Sequence, residues 1–162
     1  MKSVILIRHA KSSWKGDLDD FDRPLNERGQ RDAPEMAKRL RKRDLTIDAF
    51  IASPSKRTTD TAEYFCSEFG RKKSEIIFKP ELYHATVNVF YEVIRQLPDG
   101  FNTIVIFSHN NGITDFANEL TEMKIDNIPT CGIFAVGAAI SEWKDFRSSG
   151  KEFLFFDYPR LG

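Results

Sequence analysis

Two histidines and two arginines occupy positions in this sequence from which they could bind and transfer a phosphoryl group. Arg8 and His9 directly follow one apolar run, His109 follows another, and Arg57 lies near the start of a helical pattern. A guanidinium group matches phosphoryl oxygens in bidentate fashion and stays protonated at any relevant pH. A neutral imidazole offers the lone pair that a nucleophile needs, and a second imidazole can donate to another oxygen. We expect the arginines to lower the pKa of His9, because they disfavour its charged form.

The apolar runs that precede these residues predict the strands of a sheet. Val4–Ile7 is rich in β-branched residues, as is typical of a buried central strand. Further strands are predicted at residues 47–52, 76–78, 103–107, 133–140 and 152–156. Because helical patterns separate the earlier strands but not the late ones, we predict a three-layer α/β/α sandwich with a mostly parallel central sheet and an antiparallel edge. One domain over residues 1–162 accounts for the whole chain.

Capping residues predict where the helices begin. Asn26 is a suitable N-cap for a helix whose apolar residues recur with helical spacing. Ser53 and Pro54 predict the cap and the first position of a second helix. Two more helices are predicted at residues 89–97 and 111–123.

The carboxyl ends of the strands are predicted to bring the polar residues together. In open α/β sheets, ligands bind outside the carboxyl ends of the strands. Arg8 and His9 follow the first predicted strand, Arg57 follows the second, Glu81 the third and His109 the fourth. Two helices also begin at this edge, and their free N–H groups favour an anion. This arrangement predicts a phosphate pocket.

Four segments resemble motifs of the histidine phosphatase superfamily, in the order in which the family has them. They are Arg8-His9-Ala10, PLNERG at 24–29, SPSKRTTDTA at 53–62 and SHNN at 108–111. Alanine replaces the family's usual glycine after His9, and serine and asparagine replace a glycine and a proline around His109. The sequences of residues 8–14 (RHAKSSW), 82–85 (LYHA) and 128–130 (IPT) are similar to those of the small branch around bacterial phosphohistidine phosphatases. The resemblance covers residues 4–159 and implies a phosphoglycerate mutase-like fold.

The resemblance also implies a role for each residue of the pocket. His9 would attack phosphorus and form a phosphohistidine intermediate, while Arg8, Arg57 and His109 would bind the phosphoryl oxygens. Larger members of the family have a carboxylic acid that protonates the leaving group, and Glu81 is the candidate for it here. The implied enzyme is metal-independent and needs no cofactor.

Several other polar residues are candidates for lesser roles. Ser13 and Asn110 are candidate hydrogen-bond partners of the phosphate, and Thr130 is a candidate support for the pocket. His84 is a candidate for the pocket rim. For each of them the alternative is an ordinary structural role.

The composition argues against several other classes of protein. The 24 basic and 24 acidic side chains balance, and the excess of 17 basic over 12 acidic residues in 1–73 is too small for a nucleic-acid groove. The first apolar run is too short for a signal peptide or a membrane span, so a cytoplasmic protein is expected. Cys66 and Cys131 form no C-x-x-C pair and are expected to be reduced thiols. The histidines could in principle bind zinc, but the arginines beside them would repel a cation.

The sequence leaves the substrate open. The preferred substrate is a phosphorylated protein, most specifically protein phosphohistidine, because the chain has no room for the long insert that encloses small metabolites in larger relatives. The alternatives are a small-metabolite phosphomonoesterase, a mutase, or a module that binds phosphate or phosphoproteins without turnover. An intact His9 argues against the last, since binding alone needs no nucleophile.

Overall fold

A computed structural model describes residues 1–160, and these residues form a single sheet of six strands with helices on both faces. The strands are β1 (Lys2–Arg8), β2 (Ala49–Ala52), β3 (Ile77–Phe78), β4 (Thr103–Ser108), β5 (Ile133–Ala138) and β6 (Glu152–Asp157). Their order across the sheet is β3-β2-β4-β1-β5-β6. The pairs β3–β2, β2–β4 and β4–β1 are parallel. Strand β5 pairs antiparallel with β1, and β6 pairs antiparallel with β5. The predicted fold class is therefore confirmed.

The register of the central strands decides where the polar residues lie. Arg8 at the end of β1 is paired with Ser108 at the end of β4. His9 and His109 therefore leave two adjacent parallel strands side by side. In β2, Ala52 is paired with Phe107, so the chain after β2 leaves the sheet at the same edge.

Two helices cover each face of the sheet. Helices α1 (Glu27–Arg41) and α2 (Lys56–Glu68) pack together on one face, and α3 (Val87–Arg95) and α4 (Gly112–Leu120) pack together on the other. Successive side chains of a strand point to opposite faces of the sheet, so the apolar strand β1 contributes side chains to the core on each face. Ile5 and Ile7 lie in the core beneath α1 and α2, and Val4 and Leu6 lie in the core beneath α3 and α4. No helix within residues 1–160 is long and apolar enough to cross a bilayer.

The helix starts agree with the sequence at α1 but not at α2. Asn26 caps α1 as predicted, and its side chain accepts a hydrogen bond from the Gly29 amide. The predicted start of the second helix at Ser53 is wrong, because the N-cap is Ser55 and the helix begins at Lys56. The Ser53 amide instead donates to the Phe107 carbonyl of β4, which keeps this residue in the extended path of β2.

Candidate active site

The backbone of His9 is fixed by contacts with three parts of the chain. Its amide donates to the Ser108 carbonyl at the end of β4, at 3.2 Å. The Cys131 amide donates to the carbonyls of both Arg8 and His9, at 3.0 Å each. On the other side, the next amide, that of Ala10, donates to Thr61 Oγ1 of α2 at 2.9 Å. The ring is thus attached to a backbone with little freedom to move.

The tautomer of the His9 ring follows from its partners. Nδ1 lies 2.8 Å from the Ala10 carbonyl oxygen, and because a carbonyl only accepts, Nδ1 carries the proton and Nε2 carries the lone pair. Burial lowers the pKa of His9 to about 3, and the charges of Arg57 and Arg8 add to the shift, while the hydrogen bond to Ala10 opposes it. The predicted direction of the shift is correct, but desolvation contributes more to it than the arginines. His9 is therefore a neutral imidazole with an available nitrogen at neutral pH.

Arg57 lies next to this nitrogen. It is buried in the first turn of α2, and its Nε donates to His9 Nε2 across 3.4 Å. Its Nη1 donates to the Asp20 carbonyl at 2.6 Å, and its Nη2 donates to Asp20 Oδ2 at 3.0 Å. A cation in the first turn of a helix opposes the helix dipole, and the carboxylate of Asp20 compensates this charge.

The ring of His109 lies 5.2 Å from the ring of His9, between centroids. Its Nε2 is 2.9 Å from Ser53 Oγ, whereas its buried Nδ1 has no hydrogen-bond partner among the described residues. Burial, followed by the neighbouring His9 and Arg57, lowers the pKa of His109 to about 3. A buried polar atom without a partner is costly, so Nδ1 is a position at which a ligand oxygen would be favourable.

Arg8, like His109, has a buried polar atom without a hydrogen-bond partner among the described residues. Its Nη1 donates to the Ile128 carbonyl at 2.9 Å, while its buried Nε has no partner within residues 1–160. Burial and the charge of Arg57 lower the pKa of Arg8. Arg8 lines an open cavity of about 160 Å³ together with His9, Ser12, Arg23, Arg57 and Thr130, and the ring of His109 lies beside that of His9. The structure thus brings the four principal residues together, with Thr130 beside them.

Three residues of this site were not identified from the sequence, namely Asp20, Arg23 and Tyr83. The Asp20 carboxylate accepts from Arg57, from the Tyr83 hydroxyl at 2.5 Å, and from Arg23 Nη1 at 2.8 Å. The hydrogen bond from Tyr83, followed by those from Arg57 and Arg23, holds the pKa of Asp20 far below its usual range. Arg23 also donates to Ser12 Oγ and stacks on the exposed ring of Trp14, 3.3 Å from the ring centroid. Two sequence signals could have indicated this group: Arg23 directly precedes the PLNERG segment, and Tyr83 lies in the segment 82–85 (LYHA) that resembles the family.

The structure does not place Glu81 with the four principal residues. Glu81 is exposed, and it borders a different cleft together with Lys79 and Val89. The short 3-10 helix Pro80–His84 turns Leu82 into the core and Tyr83 towards Asp20. This turn explains why Glu81, the predicted proton donor, lies apart from the pocket.

The lesser candidates have local partners. Ser13 Oγ accepts from the Lys15 amide at 3.1 Å, and Ser12 lines the cavity instead. The side chain of Asn110 donates to Asn127 and accepts from Thr114 Oγ1 at 2.5 Å. Ser13 and Asn110 thus already have hydrogen bonds away from the phosphate position.

Two further observations concern His84 and metal ligands. The His84 ring lies against Tyr83, 4.1 Å between centroids, at an exposed position. No group of three or more His, Cys, Asp or Glu side chains in the described part of the chain is gathered closely enough to hold a metal ion.

Known proteins resemble this chain in sequence and in fold. An uncharacterized chloroplastic protein of Arabidopsis thaliana is 29% identical over 160 residues, which cover 92% of this chain and 72% of that protein. The fold is that of the protein histidine phosphatase SixA solved with tungstate (TM-score 0.82, 21% identity, 97% of both chains). It is shared more distantly by a mycobacterial glucosyl-3-phosphoglycerate phosphatase (TM-score 0.70, 14% identity, 95% of this chain and 97% of that one). The family model of the histidine phosphatase superfamily, branch 1, matches residues 4–87, more than half of the 162 residues. This chain belongs to the histidine phosphatase superfamily.

Proposed function

We propose that this protein is a metal-independent phosphatase that transfers a phosphoryl group to His9 and then to water, with protein phosphohistidine as its substrate. One observation carries the proposal. His9, a neutral imidazole, lines a cavity together with Arg8 and Arg57, the ring of His109 lies 5.2 Å from that of His9, and the buried donors Arg8 Nε and His109 Nδ1 have no partner among residues 1–160.

In the first step the lone pair of His9 Nε2 forms a bond to phosphorus. The bond from phosphorus to the leaving group breaks, and its electron pair goes to the leaving atom. His9 becomes a phosphorylated imidazolium, and its Nδ1 keeps its proton and donates it in a hydrogen bond to the Ala10 carbonyl oxygen. The guanidinium groups of Arg8 and Arg57, with His109 Nδ1 in its protonated tautomer, stabilise the charge on the three equatorial oxygens.

In the second step water attacks phosphorus and the P–N bond to His9 breaks. The electron pair returns to Nε2, and the proton that water loses goes to the phosphate product or to solvent. Neutral His9 is thereby restored, and inorganic phosphate leaves. Splitting one displacement into two in this way is covalent catalysis.

The leaving group decides which substrate fits best. An alkoxide needs a proton as it departs, but the carboxylate in contact with Arg57, that of Asp20, is ionised. Glu81 lies in a different cleft. Phosphohistidine needs no protein acid, because its protonated imidazole leaves as a neutral ring. The site therefore suits a phosphoramidate better than an alkyl phosphate.

The shape of the site favours a large substrate. The cavity of about 160 Å³ is open, and the exposed Trp14 lies at its edge. A phosphorylated side chain on a protein surface could reach His9 without a lid having to close. A small phosphate ester is the second candidate substrate, since a phosphatase of such a compound has the same fold. A cytoplasmic location stays a prediction.

The nucleophile is tested by trapping the intermediate. After brief mixing with a ³²P-labelled phosphoryl donor and denaturation, the protein should carry label that is stable to alkali and labile to acid, as phosphohistidine is. His9→Asn should abolish the label and the turnover, whereas the exposed His84→Asn should retain both. Turnover by His9→Asn would refute the mechanism, and loss of wild-type activity in a chelator would refute metal independence.

The substrate is tested by comparing kcat/KM across a panel. The panel contains a phosphohistidine protein, a phosphoserine peptide, p-nitrophenyl phosphate and 3-phosphoglycerate. We expect the phosphohistidine protein to be preferred, with p-nitrophenyl phosphate next because its leaving group also needs no acid. A preference for 3-phosphoglycerate would favour the small-ester alternative, and phosphate binding without turnover of any compound would indicate a binding module.

A further inference from the structure

The carboxylate of Asp20 lies at a site otherwise suited to binding an anion. Its Oδ2 accepts from Arg57 Nη2 at 3.0 Å and from the Tyr83 hydroxyl at 2.5 Å, and its Oδ1 accepts from Arg23 Nη1 at 2.8 Å. These donors come from α2, from the 3-10 helix Pro80–His84 and from the segment before α1. Because three separate segments hold the carboxylate, its negative charge has a fixed place in the site.

Arg57 retains donors for a substrate while Asp20 stays in place. A guanidinium has five N–H groups. One on Nε points to His9, one on Nη1 to the Asp20 carbonyl and one on Nη2 to the Asp20 carboxylate. The other two can bind phosphoryl oxygens, as can Nε once a phosphoryl group comes between it and His9. Asp20 can therefore remain beside a bound substrate.

A fixed negative charge in this position acts on whatever is attached to the phosphoryl group. The Asp20 side chain is 49% exposed, so it can meet the part of a substrate that extends from the cavity into solvent. Asp17, Asp19 and Asp22 of the same segment are also exposed. The charge attracts a cation there and repels a carboxylate or a second phosphate, and the attraction weakens as salt is added.

We propose that Asp20 is a specificity-determining residue that favours phosphoryl compounds with a positive charge next to the phosphoryl group and disfavours those with a second negative charge. The proposal rests on the proposed function, because the protonated ring of phosphohistidine is such a cation. It also gives the carboxylate a role beyond compensating the charge of Arg57.

The test uses three benzylphosphonates that bind without being hydrolysed and differ only at the para position, which carries an aminomethyl group, hydrogen or a carboxylate. Calorimetry at low ionic strength should show that the wild-type protein binds the aminomethyl compound about tenfold more tightly than the carboxylate. Asp20→Asn keeps the size of the side chain and removes its charge, so it should reduce this ratio to below about threefold. Asp22→Asn, the matched change on the same turn, should lower the ratio by no more than about twofold.

Binding of inorganic phosphate separates specificity from positioning. If Asp20 acts through its charge, Asp20→Asn should bind phosphate more tightly than the wild-type protein. Weaker binding would mean that Asp20 only orients Arg57, and it would overturn the proposal. If Asp22→Asn lowered the ratio of the affinities for the aminomethyl and carboxylate compounds as much as Asp20→Asn does, the proposal would also be overturned.

Measurements on the wild-type protein alone keep the proposal falsifiable even if the variant does not fold. A binding ratio near one at low ionic strength would overturn it, as would a ratio that does not fall when NaCl is raised to about 1 M. None of these measurements needs turnover. An inactive protein with the expected ratio would refute the phosphatase function only, and an active protein without it would refute only the role of Asp20.

Discussion

Lowering the pH from 7 to 5 should destabilise the folded protein through His9 and His109, since both rings are buried in their neutral form. Their folded-state pKa values are about 3, whereas an unfolded histidine titrates near about 6.5. Between these values the unfolded chain binds more protons than the folded one. The free energy of unfolding therefore rises with pH in this window, and stability is lost as the pH falls below about 6.5.

The size of the effect follows from the two pKa values. For one such histidine, protonation of the unfolded chain lowers the free energy of unfolding by about 2 kcal/mol between pH 7 and pH 5. Both rings are still neutral in the folded state at pH 5, so their contributions add to about 4 kcal/mol, a large part of the stability of a typical domain. Unfolded carboxyl groups titrate near about 4, so most of their contribution falls below this window.

The assay is urea unfolding at pH 7, 6 and 5 in buffers without phosphate, because phosphate bound to the folded state would mask the effect. His9→Asn and His109→Asn should each lose about half of the wild-type pH dependence. Equal pH dependence in the wild-type protein and both variants would refute the reasoning. So would an NMR spectrum of the folded protein at pH 5 in which His9 is an imidazolium.

Three substitutions test other contacts of the site. Arg57→Lys should lower kcat/KM by roughly 10²–10³, because an ammonium replaces a planar fork, and a loss below tenfold would contradict the bidentate role. Gly29→Ala should lower the free energy of unfolding by about 1–3 kcal/mol, because its Cβ would lie 2.1 Å from the Lys11 carbonyl oxygen. Gly150→Ala, whose Cβ meets nothing within 4 Å, is the control, and equal unfolding curves for the two variants would contradict this reading. Ser53→Ala should lower kcat about tenfold with little change in KM, since it removes the shorter of the two contacts of His109 Nε2 and leaves only Ser55 Oγ at 3.4 Å, and an unchanged kcat would make Ser53 a purely structural residue.

The sequence was sufficient to predict the residues that lie at strand ends. Arg8, His9 and His109 follow apolar runs whose strand character was clear, and parallel strands necessarily end at one edge of the sheet. Arg57 was predicted from its place in the helix after β2, although the predicted start of that helix, at Ser53, was wrong. The error arose because the Ser53 amide pairs with the Phe107 carbonyl of β4, so the chain stays extended until Ser55 caps the helix.

The residues that the sequence did not reveal lie in irregular segments. Asp20 and Tyr83 come from 3-10 turns whose direction depends on packing, and the hydrogen bond between them joins positions 63 residues apart. Nothing in the apolar periodicity of either turn indicates such a contact. Glu81 illustrates the converse case, since its place after β3 favoured it while the turn of the following residues left it exposed.

The position of β4 between β1 and β2 has a consequence for synthesis of the chain on the ribosome. β1 and β2 are made first, but they are not neighbours, and each pairs with β4. Until residues 103–108 have emerged, the apolar β1 lacks its parallel partner, and His109 has not emerged either. The nascent chain therefore exposes unpaired strand edges over most of its synthesis, a period in which chaperone binding would protect it from aggregation.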